Sequence, residues 1–108
     1  MTTYNKLVRD LIPEIIRQDG KNPITKILSN EECLNEVERK MHEELAEYVE
    51  AKNNVEKLEE LADLLELLHT AANIHGISLE KLETLRAKKS EKHGGFAERI
   101  YLIEVLDN

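Results

Sequence analysis

Residues 31–74 read EECLNEVERKMHEELAEYVEAKNNVEKLEELADLLELLHTAANI, and their spacing decides the fold. In the first half, Leu34, Val37, Met41, Leu45 and Tyr48 recur at steps of three and four, the period of one helix face. Asn53-Asn54 interrupts the pattern. In the second half, Leu58, Leu61, Leu65, Leu68 and Ala72 form one apolar face, and Leu64, Leu67, Ala71 and Ile74 form another continuous with it. Two helices are expected, about Glu31 to Lys52 and about Val55 to Ile74, antiparallel because the turn between them is short. A helix apolar around more than half its circumference is buried among several partners. A chain of 108 residues offers few of them, so self-association is expected.

Outward from this pair the signals weaken. Ser29-Asn30-Glu31-Glu32 is a good helix start, with a capping oxygen and acids in the first turn. Gly76 can end the second helix, Ser78 can cap a third over about Leu79 to Glu91, and Gly94-Gly95 ends that one. Upstream, Leu7 to Ile16 reads as a short helix with Pro13 near its first turn. Ile24–Leu28 and Arg99–Leu106 carry strand signals and are expected to pair, lying on the helices because a lone two-stranded ribbon is marginal. The expected fold is all-α, a helical bundle on an antiparallel central pair with a minor two-stranded β appendage, in one domain over residues 1–108.

Charge narrows the partners. The chain holds 22 acids against 15 Lys plus Arg, a formal charge of −7. That surplus argues against a nucleic acid polymer or an anionic membrane as the main partner. A phosphorylated small molecule fits if a metal ion accompanies it. One cysteine, Cys33, excludes an internal disulfide and is read as a packing residue. No apolar run approaches the roughly 20 residues of a membrane span, and no signal peptide is visible, so a soluble cytoplasmic protein is expected.

The carboxylates are placed more tellingly than they are numerous. Glu44 and Glu47 lie three apart and share a helix face, with Glu44 bordering the apolar stripe. Glu43 points away and is expected to be solvated. On the second helix Glu60 falls within an apolar sector and Asp63 at its edge. The two pairs are nearly equidistant from the Asn53-Asn54 turn, roughly 9–14 Å along each helix, so an antiparallel hairpin sets them level. Four clustered carboxylates repel one another unless a cation sits among them, and hard oxygen ligands select Mg²⁺, or Mn²⁺ as a substitute. Chance E-x-x-E spacing on solvated helices is the plain alternative; Glu60 in an apolar sector weighs against it.

Glu43-Glu44-Leu45-Ala46-Glu47 followed by Glu59-Glu60-Leu61-Ala62-Asp63 resembles the signature of the MazG-type all-α nucleoside triphosphate pyrophosphohydrolases, a superfamily that includes phosphoribosyl-ATP pyrophosphohydrolase. Tyr4-Asn5-Lys6-Leu7-Val8-Arg9-Asp10 and His93-Gly94-Gly95-Phe96 resemble the ends of a small stand-alone subgroup. Leu11 departs from it, standing where the subgroup often has Lys. The resemblance implies Mg²⁺ held by Glu44, Glu47, Glu60 and Asp63 and hydrolysis between the α- and β-phosphates, with one carboxylate accepting a proton from the attacking water. It also implies dimers or dimers of dimers. Candidate phosphate binders are Lys6, Arg9, Lys88, Lys89, Lys92 and Arg99, with Gly94-Gly95 offering backbone N–H groups.

Two rivals stand beside this. One is a non-catalytic helical dimerisation module. The other is a di-metal protein built on Glu66-x-x-His69, which would need a second such motif and two further Glu residues. His42, His75 and His93 have no partner at ligand spacing and are expected in solvent.

Overall fold

A computed structural model describes residues 2–107, and it is all-helical: α1 (Ile12–Gln18), α2 (Asn30–Glu50), α3 (Asn54–Ile74) and α4 (Leu79–His93). The central pair forms where its periodicity placed it. Ser29 starts α2 with a reciprocal capping box: Glu32 N–H donates to Ser29 Oγ, and Ser29 N–H donates to Glu32 Oε1, both at 3.2 Å. Asn53 starts α3 by accepting from Glu56 N–H at 2.9 Å, and Ser78 starts α4 by accepting from Lys81 N–H at 3.1 Å. At the end of α3 the chain turns through Gly76 at φ +89°, a left-handed geometry cheap only for glycine.

The pairing of α2 with α3 is antiparallel. Lys57 meets Tyr48 while Glu60 meets Glu44, so partners advance on one helix as they retreat on the other. Lys57 is the clasp. Its ammonium donates to the Tyr48 carbonyl at 2.7 Å and lies 4.7 Å from the centre of the Tyr48 ring. The last turn of α2 has no basic residue of its own, so Lys57 supplies the cation its open carbonyls favour. Among the described residues Val37, Leu67 and Ala72 are the buried apolar side chains. No helix is long and apolar enough to cross a membrane among those residues.

Two expectations need correction. Neither 24–28 nor 99–106 is a strand; both are irregular and exposed, with Ile24 at 94% and Ile103 at 86% exposure. Among the described residues only Leu28 of the two stretches is half-buried, and a ribbon with so little apolar support does not form by itself. The first helix also begins at Ile12 rather than Leu7. Pro13 occupies its first turn, where a missing N–H costs nothing, and its ring disfavours helical backbone before it.

The molecule is elongated. Its radius of gyration is 18.7 Å, whereas a compact chain of this length has about 13 Å. Its accessible surface is 10,014 Å², against about 6,200 Å² for a folded monomer of this mass. Leu45, Val49, Leu58, Leu61, Leu65 and Leu68 on the hairpin all remain substantially exposed.

Candidate metal centre

The hairpin gathers the four carboxylates that the spacing singled out around one residue, Glu44. Oxygen atoms of Glu44, Glu60 and Asp63 lie within 4.8 Å of one another, and so do those of Glu43, Glu44 and Glu47. Glu44 belongs to both groups and is 6% exposed. Glu60 and Asp63 are half-buried; Glu43 and Glu47 are exposed at the rim. Glu43 departs from its expectation. It is solvated, yet it turns an oxygen toward Glu47, one helical turn away at the i, i+4 spacing. That spacing was visible in the sequence; looking only for i, i+3 pairs missed it.

Burial pushes the Glu44 carboxyl up to about 8, and a hydrogen bond with Glu60, the charge of and a hydrogen bond with Glu47, and the charge of Asp63 add to the rise. Two oxygens in this cluster, Glu44 Oε2 and Glu60 Oε2, are buried without a hydrogen-bond partner. A buried acceptor left without a partner costs about 1–3 kcal/mol. A hard divalent cation satisfies both oxygens and removes the repulsion at once. The all-carboxylate donor set therefore fits Mg²⁺ or Mn²⁺.

Three cations stand nearby. Arg9, from the segment before α1, donates from Nη2 to Asp63 Oδ1 at 2.6 Å, so a candidate phosphate binder rests on a candidate metal ligand. Lys40 was not singled out by the sequence. It is one turn before Glu44, its Nζ lies 3.9 Å from Glu44 Oε1, and its side chain is only 21% exposed. Lys6 lines a small hollow of about 20 Å³ with Leu7, Glu36, Arg39, Lys40 and Glu43, which brings it beside the same rim. Lys88, Lys89, Lys92 and Arg99 are exposed and form no ion pair with the carboxylates in this chain. Glu66 and His69 join neither carboxylate group among the described residues.

The chain belongs to the MazG-like all-α nucleoside triphosphate pyrophosphohydrolase superfamily. The model of one of its families, phosphoribosyl-ATP pyrophosphohydrolase, matches residues 8–90, and the chain belongs to that family. The match takes in Arg9, Lys40, Lys88 and all four carboxylates, and leaves out Lys6, Lys92 and Arg99. The family is named for hydrolysis of a pyrophosphate bond in a phosphoribosylated nucleotide. The chain is also 45% identical over 42 residues to an uncharacterized protein of Mycolicibacterium smegmatis, a stretch covering 39% of this chain and 43% of that protein. No solved structure matches.

Proposed function

We propose that the chain is a Mg²⁺-dependent nucleotide pyrophosphohydrolase. It cleaves the α–β phosphate bond of a nucleoside triphosphate or a phosphoribosyl-ATP-like nucleotide, giving the monophosphate and pyrophosphate. The observation that carries this is Glu44: a buried carboxylate set among three others, with an oxygen that no protein group satisfies. A non-catalytic dimerisation module has no use for so costly an arrangement.

Glu44, Glu47, Glu60 and Asp63 hold the metal, with Mn²⁺ an adequate substitute. Bound there, the cation screens the phosphate charge and lowers the pKa of a water molecule. The carboxylates do two further things. Their ionised form excludes a phosphate group until a cation is present, which makes nucleotide binding depend on the metal. An oxygen left free of metal accepts the proton of the attacking water. Arg9 and Lys6 bind phosphate oxygens. Arg9 neutralises Asp63, and a metal held by that carboxylate would leave the guanidinium free for a phosphate oxygen. Lys88, Lys92 and Arg99 remain candidates for phosphate binding on the resemblance alone. The working form is a homodimer or homotetramer, in which the exposed leucines of α2 and α3 are covered.

Pyrophosphate release from a panel of nucleotides and phosphoribosyl-ATP, with and without Mg²⁺, tests the activity and finds the substrate. Glu60→Gln keeps the side-chain volume and removes one charge. It should lower turnover by about a thousandfold while leaving helix content unchanged. Full activity in that variant would sink the proposal.

A further inference from the structure

Two segments outside the helices share an unusual condition. Residues 24–28 (Ile-Thr-Lys-Ile-Leu) carry Ile24 and Ile27 at 94% and 96% exposure. Residues 100–106 (Ile-Tyr-Leu-Ile-Glu-Val-Leu) carry six apolar side chains that are each at least 74% exposed. Neither stretch makes a backbone hydrogen bond among the described residues. Both are rich in the β-branched and aromatic residues that favour strands. A backbone with unpaired N–H and C=O groups and a row of apolar side chains is a template for another strand.

The two stretches match in charge and register. The first carries Lys26 at its centre, with Lys21 upstream; the second carries Glu104, followed by Asp107. Laid antiparallel with Lys26 opposite Glu104, Ile24 faces Leu106, Leu28 faces Leu102, Ile27 faces Ile103 and Thr25 faces Val105. Within 24–28 and 102–106 every apolar side chain then meets an apolar or methyl-bearing one, and the two central charges meet each other. A slip of one residue sets Lys26 against Ile103 or Val105 and loses this match. Lys26 is held elsewhere only by a 3.8 Å contact with exposed Glu32, which is easily exchanged. Pro23 sits just before the first stretch, where a strand tolerates it.

The pairing is not made inside the chain. The long axis is 69 Å, more than twice the roughly 31 Å of a 21-residue helix, so the chain outside the hairpin projects well beyond it. Before the arm, Arg99 takes a left-handed turn at φ +61°, its N–H donating to Phe96 C=O at 3.1 Å. The surface of each chain exceeds that of a compact monomer by about 3,800 Å², more than the share one partner gives to a permanent dimer that buries roughly 2,000–5,000 Å² in total.

We propose that residues 102–106 of one copy pair with residues 24–28 of a second copy, and reciprocally, so that two chains assemble by exchanging arms. This stands independently of the nucleotide reading, since no metal or substrate group takes part. The test uses the full chain with Cys33→Ala, Lys26→Cys and Glu104→Cys. Mild oxidation should convert most of it to a covalent dimer, because directly opposed strand residues lie within disulfide reach. A control carrying Lys21→Cys in place of Lys26→Cys should cross-link at least about tenfold less, since that cysteine lies beyond this reach. An internal disulfide in a monomer, no disulfide, or equal cross-linking in the control overturns the exchange. The unmodified protein gives a second reading. In its dimer, every second amide of 24–28 and 102–106, those facing the partner strand, should exchange with solvent about a hundredfold slower than in an unpaired chain. Fast exchange of these amides in a sedimenting dimer overturns the proposal equally.

Discussion

The α2–α3 hairpin and the arm beyond α4 are both rich in Leu, Ile and Val, yet one is regular and the other is not. The hairpin satisfies itself. Its backbone bonds are local, its helix starts are capped by Ser29 and Asn53, and Lys57 ties the two helices across the turn. The arm offers a strand pattern whose bonds must come from elsewhere, and within one chain none arrive. The difference teaches that apolar content does not make structure. What matters is whether the partner groups lie within reach of the same chain.

Core truncation separates the two regions most sharply. Leu67→Ala removes a buried leucine of α3 and should cost about 3 kcal/mol in denaturant unfolding. Ile103→Ala, in the arm, should change the stability of the separated chain by less than about 0.5 kcal/mol. Equal costs at the two positions would mean that the arm is already packed in the single chain.

Between pH 4.5 and about 8 a response to pH should come from the hairpin. The folded Glu44 carboxyl sits near 8, above the 4.5 of an unfolded glutamate. Between those values the folded chain keeps a proton that the unfolded chain has lost. Metal-free stability from this group is therefore full below pH 4.5 and is lost as pH rises through about 8. A cation must displace that proton, so apparent Mg²⁺ affinity should rise by about tenfold per pH unit up to the same point. Calorimetric titration from pH 6 to 8 in two buffers of different ionisation heat measures both the affinity and the proton released. Affinity independent of pH would show that Glu44 carries no proton.

A smaller effect tests the clasp. Lys57→Met keeps the aliphatic stem but loses the hydrogen bond to Tyr48 and the cation at the end of α2. It should cost about 1 kcal/mol of stability, read in thermal melts. No loss would mean that helix packing alone holds the turn.

Much of the candidate site was legible because helices translate spacing into position. The three-residue steps of Glu44/Glu47 and Glu60/Asp63, and their near-equal distance from Asn53-Asn54, were enough to bring the pairs level. Lys40 and Arg9 were less legible. The place of Lys40 depends on how deeply α2 is packed beside Glu44, and that of Arg9 on where an irregular segment crosses α3; neither depth nor crossing has a sequence period. The strand pattern of 24–28 and 100–106 was legible as a preference, but not the absence of a partner inside the chain.

By itself, then, the sequence determined α2, α3 and α4, the Ser29 and Ser78 caps, the antiparallel central pair and the carboxylates it would gather, since all of these depend on contacts within a few residues or across one short turn. Only the tertiary structure decided that Glu44 lies at the centre with an unpartnered oxygen, that Arg9 rests on Asp63, and that the arm finds no cover within its own chain. Those depend on burial and on distances between residues far apart in sequence, such as the 54 positions separating Arg9 from Asp63, which no local pattern encodes.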